Sequence, residues 1–211
     1  MSRAQLLKIA VSLVPTLGFT REALSRSVLA LPSTQAHPEP LSDSAVSALF
    51  GNGDNARKSL IEAWLHEGLD HMKTVSSPTM KQVLKARLEY NQPVLRDLPE
   101  AFALLASPER GIPPLDPRPA LTHAIAIADE ACHITGDTSL QLAWYPRRLS
   151  LAAAYTAAEL HQLTSPQTAV SFLESLLNGS SALKSSLDET KLFGTYVFKS
   201  WEGIIKSRGI F

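Results

Sequence analysis

"LQLAWYPRRLSLAAAYTAAEL", Leu140 to Leu160, joins two unlike halves in one run. The first half presents Trp144 and Tyr145, then Pro146, then Arg147 and Arg148. The second, "LSLAAAYTAAEL", is small and apolar and carries no charge before Glu159. It is shorter than the ~20 apolar residues that cross a bilayer. It reads instead as a helix buried on every side. Tyr155 and Glu159 lie one turn apart, so phenol and carboxylate are placed to share a hydrogen bond. The front half admits two readings. Pro146 either kinks the helix or sits in its first turn, which turns Trp144 and Tyr145 outward as the aromatic anchors of an interface. Alternatively, Trp144 caps the core while Arg147 and Arg148 pair with Asp129 and Glu130.

The rest of the chain suits an all-α protein. It has 211 residues, with 45% hydrophobic and 19% charged, enough for one good-sized core. Twenty basic residues offset twenty acidic ones. Zero net charge argues against a nucleic-acid binder, which needs a basic face to displace counterions. A single cysteine, Cys132, excludes an internal disulfide and a Cys-rich zinc site, and is compatible with a reducing compartment. The opening "MSRAQLLKIAVSLVP" is basic and then apolar, as targeting segments are. It lacks a small-residue cleavage site, however, and Leu6, Ile9, Ala10, Leu13 and Val14 recur at helical spacing. A first helix of the folded domain is expected, any organellar presequence having already been left off.

Helical periodicity dominates and no alternating strand stands out. The expected helices are Ala4–Val14, ended by Pro15 and Gly18, and Arg21–Leu31, capped by Thr20. Asp43–Phe50 follows, then a long helix capped by Asp54 or Asn55 and reaching Val75. A fifth starts at Ser77-Pro78 with proline in its first turn. Pro93 and Pro99 interrupt the chain before "EAFALLA". The proline-rich "SPERGIPPLDPRPA" is a long loop. Beyond it, Ala120–Ile134, Leu140–Leu163 and Pro166–Leu177 are expected to be helical, followed by the polar linker "NGSSALKSSLDETK" and a last helix, Lys191–Lys206.

Catalytic signatures are missing. "HEGLDH", His66 to His71, puts its second histidine one residue too late for a zinc-protease pair, so the rings fall about 140° apart. "EACH", Glu130 to His133, has the spacing of a di-iron ligand pair, but a bundle site needs a second copy. Neither a G-x-S-x-G elbow nor a glycine-rich phosphate loop appears. The expectation is a protein that is not an enzyme, with no metal and no cofactor.

The C-terminal "KLFGTYVFKSWEGIIKSRGIF" is amphipathic. Placed at about 100° per residue, Tyr196, Phe193, Ile204, Val197, Trp201, Ile205 and Phe198 share one arc, and Lys199 and Lys206 lie opposite. Such a helix either closes the core or lies in a membrane interface, its lysines on anionic headgroups. The polar linker before it favours docking away from the core.

Three stretches together resemble one family. "DEACHITGDTSLQLAWYPRRLSLAAAYTAAELHQLTSP", "PVLRDLPEAFALLASP" and the opening "LLKIAVSLVPTLGFTREAL" are similar to the ubiquinone-biosynthesis lipid-binding accessory proteins, which have a TetR-like fold. The Trp-Tyr-x-Arg-Arg block is the most specific part. The resemblance implies a TetR-like bundle of nine to ten helices with a C-terminal amphipathic helix. Its divisions would be a lipid-binding domain over 1–178, opening with a helix-turn-helix-like unit over 1–58, a linker over 179–190, and a membrane-docking helix over 191–211. It implies binding of an isoprenoid lipid or ubiquinone precursor, with demethoxyubiquinone presented to its di-iron hydroxylase within the ubiquinone-synthesis complex. A location on the matrix face of the mitochondrial inner membrane, and assembly up to a homodimer, are implied as well.

The partner-docking patch carries over to Asp129, Ala131, His133, Trp144, Tyr145 and Arg148. Membrane contact would fall to Phe193, Val197, Phe198, Trp201, Ile204, Ile205, Lys199 and Lys206. Candidate lipid-pocket residues are Leu98, Phe102, Leu105, Ile125, Leu151 and Tyr155, with the alanines of Leu149–Leu160 leaving room for a prenyl chain. Ala131 and Cys132 replace bulkier family residues, thinning one edge of the patch, and "ERGIPPLDPRP" is longer than the usual link. The alternative is a TetR-type ligand-sensing regulator, but the presumed recognition segment "SDSAVSALFGNGDNARKS" holds only Arg57 and Lys58 as cations.

Overall fold

A computed structural model describes residues 2–32, 37–108, 116–137 and 141–182. Among these residues nine α-helices succeed one another and no strand forms, the all-α bundle that the periodicity predicts. They are α1 (Arg3–Leu17), α2 (Arg21–Arg26), α3 (Asp43–Phe50), α4 (Asp54–Met72), α5 (Met80–Tyr90), α6 (Leu98–Ala106), α7 (Arg118–Ile134), α8 (Gln141–Thr164) and α9 (Ala169–Ala182). The expected membrane helix over 191–211, with all eight of its named residues, lies outside the described residues. None of the described helices is long and apolar enough to cross a membrane.

Local chemistry sets most boundaries. Thr20 caps α2 as expected, accepting the backbone N–H of Ala23, and Ser42 caps α3 in the same way, accepting that of Ala45. Other ends differ. α1 runs through Pro15 to Leu17, because a proline in the last turn removes only one N–H. Gly18, at φ 66°, then closes the helix by donating to the Val14 carbonyl at 2.8 Å. α2 tightens into a 3-10 turn at Ser27, short of the expected α-helical end at Leu31. α4 is preceded by Gly53 at φ 54°, not capped by Asp54 or Asn55, and stops at Met72. Pro78 lies outside α5: Thr79 and Gln82 form a reciprocal capping box that starts the helix at Met80. α9 continues past Gly179 to Ala182, into the expected linker.

Two apolar cores result. The first gathers Leu6, Val14, Leu24, Val46, Phe50, Leu60, Trp64, Leu98 and Phe102 from α1–α4 and α6. The second gathers Met72, Val83, Leu84, Leu88, Ile127, Ala128, Tyr155, Ala158 and Leu173 from the end of α4, α5 and α7–α9. Each large aliphatic side chain so buried contributes about 1.5–3 kcal/mol. α4 belongs to both, with Trp64 packed edge-on to Phe19 at 5.9 Å and Met72 in the second core. α8 packs between α7 and α9. From Leu151 to Leu160 it is buried on nearly all sides, with Ala153 only half-buried. Its small residues let those neighbours approach closely.

Candidate functional site

The front turns of α8 emerge from this packing. α8 continues through Pro146, six residues into the helix. Trp144 is 37% exposed and Tyr145 70% exposed, their rings meeting edge to face at 4.6 Å. Below them the guanidinium of Arg148 lies 3.8 Å from the indole centroid. Its Nε donates to Asp129 Oδ1 of α7 at 2.7 Å. A carboxylate thus holds a cation, and the cation holds the indole, a stack worth about 0.5–2 kcal/mol. Arg147 pairs with Asp137 and not with Glu130. Of the two readings of this stretch, the geometry matches outward rings together with an Arg148–Asp129 pair.

Not every expected patch residue is at this surface. His133 and Asp129 are exposed, but Ala131 is fully buried. Its position follows from the inward stripe of α7, Ala124, Ile127, Ala128 and Ala131, which repeats at three and four residues. Cys132 is buried beside it, and burial pushes its thiol up, away from reactivity. Leu149, 52% exposed, continues the apolar surface along α8.

A second feature lies between α4, α6 and α7. An open groove of about 550 Å³ has apolar walls from Leu65, Leu69, Leu105, Pro119 and Ala126, and polar lining from Glu62, His66, Asp116, Arg118, Thr122 and His123. Arg118 grips Asp116 with both Nε and Nη2, at 2.8 and 2.7 Å, holding that carboxyl down at about 2. A narrow recess adjoins the groove at Leu65, Phe102, Leu105, Ala106, Pro119, Ala120 and His123.

Behind His123 sits a buried polar cluster. His123 Nε2 is 3.3 Å from Glu159 Oε2. Glu159 Oε1 accepts from Asn91 Nδ2 and from the Tyr155 hydroxyl, both at 2.9 Å. Asn91 Oδ1 in turn accepts from Arg87 Nη1 at 2.6 Å. Burial alone would raise the Glu159 carboxyl, but His123, Arg87 and Asn91 overcome it and hold the group at about 2. Burial pushes the Tyr155 phenol well up, with the Glu159 charge adding to it. Near neutral pH the carboxylate is therefore ionised and the phenol protonated, a cluster suited to holding geometry rather than moving protons.

The opening three-helix unit commits its cations internally. Arg21 donates to Asp43 Oδ1 at 2.8 Å, to the Gly53 carbonyl at 3.0 Å and to Ser47 at 2.7 Å. Arg57 donates to the Phe19 carbonyl at 2.9 Å and pairs with Glu100. Lys58 donates to the Ser107 carbonyl at 2.7 Å. α3, "DSAVSALF", carries no basic residue.

A family model described as COQ9 matches residues 118–183, which hold α7, α8 and α9. The Drosophila melanogaster protein named "Ubiquinone biosynthesis protein COQ9, mitochondrial" is 30% identical over 197 residues, covering 90% of this chain and 58% of its own length. The Schizosaccharomyces pombe protein of the same description is 26% identical over 218 residues, covering 99% of this chain and 81% of its own. The chain is similar to the COQ9 family. It spans 58% of the fly relative and 61% of the human relative that it matches.

The residues expected to line a lipid pocket do not surround one hollow. Leu98 is packed in the first core, Leu151 and Tyr155 in the second, and Ile125 is 45% exposed. Phe102 and Leu105 alone border the recess, and Leu105 the groove. A list of apolar positions does not distinguish those that fill a core from those that wall a hollow. Sequence reading paired Tyr155 with Glu159 but missed His123, Asn91 and Arg87. Arg87 left a signal: in "VLKARL" it stands on the buried stripe with Val83, Leu84 and Leu88. Gly68 left another, a mid-helix glycine whose added Cβ would stand 2.8 Å from Arg87 Cζ.

Proposed function

We propose that this protein is a non-catalytic lipid-binding protein of ubiquinone biosynthesis, which binds isoprenoid quinone precursors at the membrane and presents demethoxyubiquinone to its di-iron hydroxylase. The observation that carries this reading is the outward Trp144–Tyr145 pair clamped by Arg148 and Asp129, inside the segment that matches the family model. Exposed aromatic and arginine side chains on a rigid helix are the usual energetic centre of an interface. The groove along Leu65, Leu69, Leu105 and Ala126 is the candidate lipid site, with affinity from buried prenyl area at about 25 cal/mol per Å².

In this reading residues 1–178 form a TetR-like lipid-binding domain, 179–190 a linker, and 191–211 a peripheral helix on anionic membrane at the matrix face of the mitochondrial inner membrane. A homodimer is compatible with it. The regulator alternative is disfavoured by the α3 surface, which offers no cation to phosphate, and by the internal commitments of Arg21, Arg57 and Lys58.

Trp144→Lys tests the patch. The variant is expected to lose co-purification with the hydroxylase while its helical circular dichroism is unchanged. An undiminished pull-down would remove Trp144 from the docking surface.

A further inference from the structure

We infer that the outward ridge of α7, Leu121 and Ile125, belongs to the docking surface, so that a partner seated on Trp144 and Tyr145 also reaches over α7 to the edge of the groove. This rests on the docking reading above and adds to it a second helix of contact and the apolar chemistry of the partner's surface.

Among the described residues six large hydrophobic side chains stand exposed, and five of them are on α7 and α8: Leu121, Ile125, Trp144, Tyr145 and Leu149. Single apolar side chains are ordinary on a surface, whereas a cluster of them marks a face that meets something. The turn of α7 explains the outward pair. Its inward stripe is Ala124, Ile127, Ala128 and Ala131. At about 100° per residue, Leu121, Ile125 and Asp129 fall together on a different arc. Leu121 is 58% and Ile125 45% exposed, so no neighbouring helix takes them up.

The ridge adjoins both features already placed. Asp129, one turn on from Ile125, is the carboxylate that holds Arg148 beneath Trp144. At about 1.5 Å per residue, Leu121 lies about 12 Å along the helix from that clamp. Thr122 and Ala126, each the next residue after a ridge leucine or isoleucine, line the groove. The ridge therefore stands between the groove and the aromatic pair. A partner that docks on the pair and takes cargo from the groove crosses it.

Charge selects the class of partner. α7 and α8 carry no lysine, and their three arginines each hold an aspartate: Arg118 on Asp116, Arg147 on Asp137 and Arg148 on Asp129. An anionic membrane is drawn to uncommitted cations, and here a headgroup would compete with those carboxylates. An uncharged apolar face of a folded protein meets no such competition and takes Leu121 and Ile125 out of water.

The full chain tests this. The double variant Leu121→Lys with Ile125→Lys is expected to bind the hydroxylase about tenfold or more weakly in biolayer interferometry, with helical circular dichroism and melting temperature unchanged. Leu29→Lys, at the exposed leucine in the 3-10 turn after α2, is expected to leave the affinity as it is. A second measurement avoids the two charges: Ile125→Cys carries an environment-sensitive fluorophore, and because Cys132 is buried the label goes to the new thiol. Its emission should move to the blue when the hydroxylase is added, as water leaves the site. An affinity within about twofold of wild type in the double variant, or an unmoved emission, overturns the assignment. So does a double variant that keeps the hydroxylase but loses anionic vesicles or a second copy of this chain, which makes the ridge a membrane or self contact. If the wild type does not bind the hydroxylase at all, the docking reading itself falls, and this one with it.

Discussion

The two ends of α8 differ in almost every respect although one unbroken helix carries both. At the front, Trp144 and Tyr145 face solvent, and their one firm tie to the bundle runs through Arg148 to Asp129. At the back, Tyr155 and Glu159 are sealed among α5 and α7, tied to Asn91 and His123 with Arg87 beyond. Both ends contain an arginine–carboxylate–aromatic constellation. What separates them is water. At the front, the Asp129 carboxylate reaches solvent, which screens its pairing with the largely buried Arg148, and the rings stay available. At the back, no water can replace a lost partner, so the same chemistry fixes how three helices meet.

That contrast is open to attack. The largest effect should come from Glu159→Ala, which strands His123, Asn91 and the buried Arg87. A loss of about 3–5 kcal/mol is expected in urea unfolding. A loss within about 0.5 kcal/mol, as for an ordinary surface change, would erase the distinction between the two ends.

Acid should act on the same group. The Glu159 carboxyl sits near 2 in the fold and at 4.5 unperturbed. A depressed carboxyl contributes its full stability above the unperturbed value and loses it as pH falls through the folded one. At 1.36 kcal/mol per unit this is about 3 kcal/mol, lost between about pH 4.5 and about pH 2. Urea midpoints measured across that window should decline in the wild type and be flatter in Glu159→Gln.

Gly68→Ala comes next. The new methyl would meet Arg87 Cζ and Nε at 2.8 Å, and a fully buried guanidinium has nowhere to retreat. Overpacking of about 1–3 kcal/mol is expected, against the gain in helix propensity that the same change gives on a surface. A rise in melting temperature would show that Arg87 is free to move.

Smallest should be Trp144→Lys, which is expected to shift unfolding free energy by at most about 1 kcal/mol, the stack on Arg148 being its main contact. Comparing that value with Glu159→Ala in one denaturation series measures how completely the two ends divide their tasks.

Much of this was legible in the sequence. Thr20 announces its helix because a hydroxyl next to the first turn satisfies a specific backbone N–H, a matter of three residues. Tyr155 and Glu159 announce each other at one turn. The outward Trp144 and Tyr145 were legible as one of two readings, and exposure decided between them. Ala131 was misplaced because a residue's kind does not tell which way its helix is turned. The Asn91–Glu159 bond, 68 residues apart, left no local trace at all.

By itself, then, the sequence determined that the chain is helical almost throughout, the Thr20 cap, the all-round burial of the back of α8, and the resemblance to one family. These depend on interactions within a turn or two, or on patterns that repeat along the chain. Only the tertiary structure decided which apolar residues fill cores and which wall the groove, and it alone brought Arg87, Asn91, His123 and Glu159 together. Such a cluster exists only once α5, α7 and α8 are packed, because burial is a property of what surrounds a residue and not of the residue.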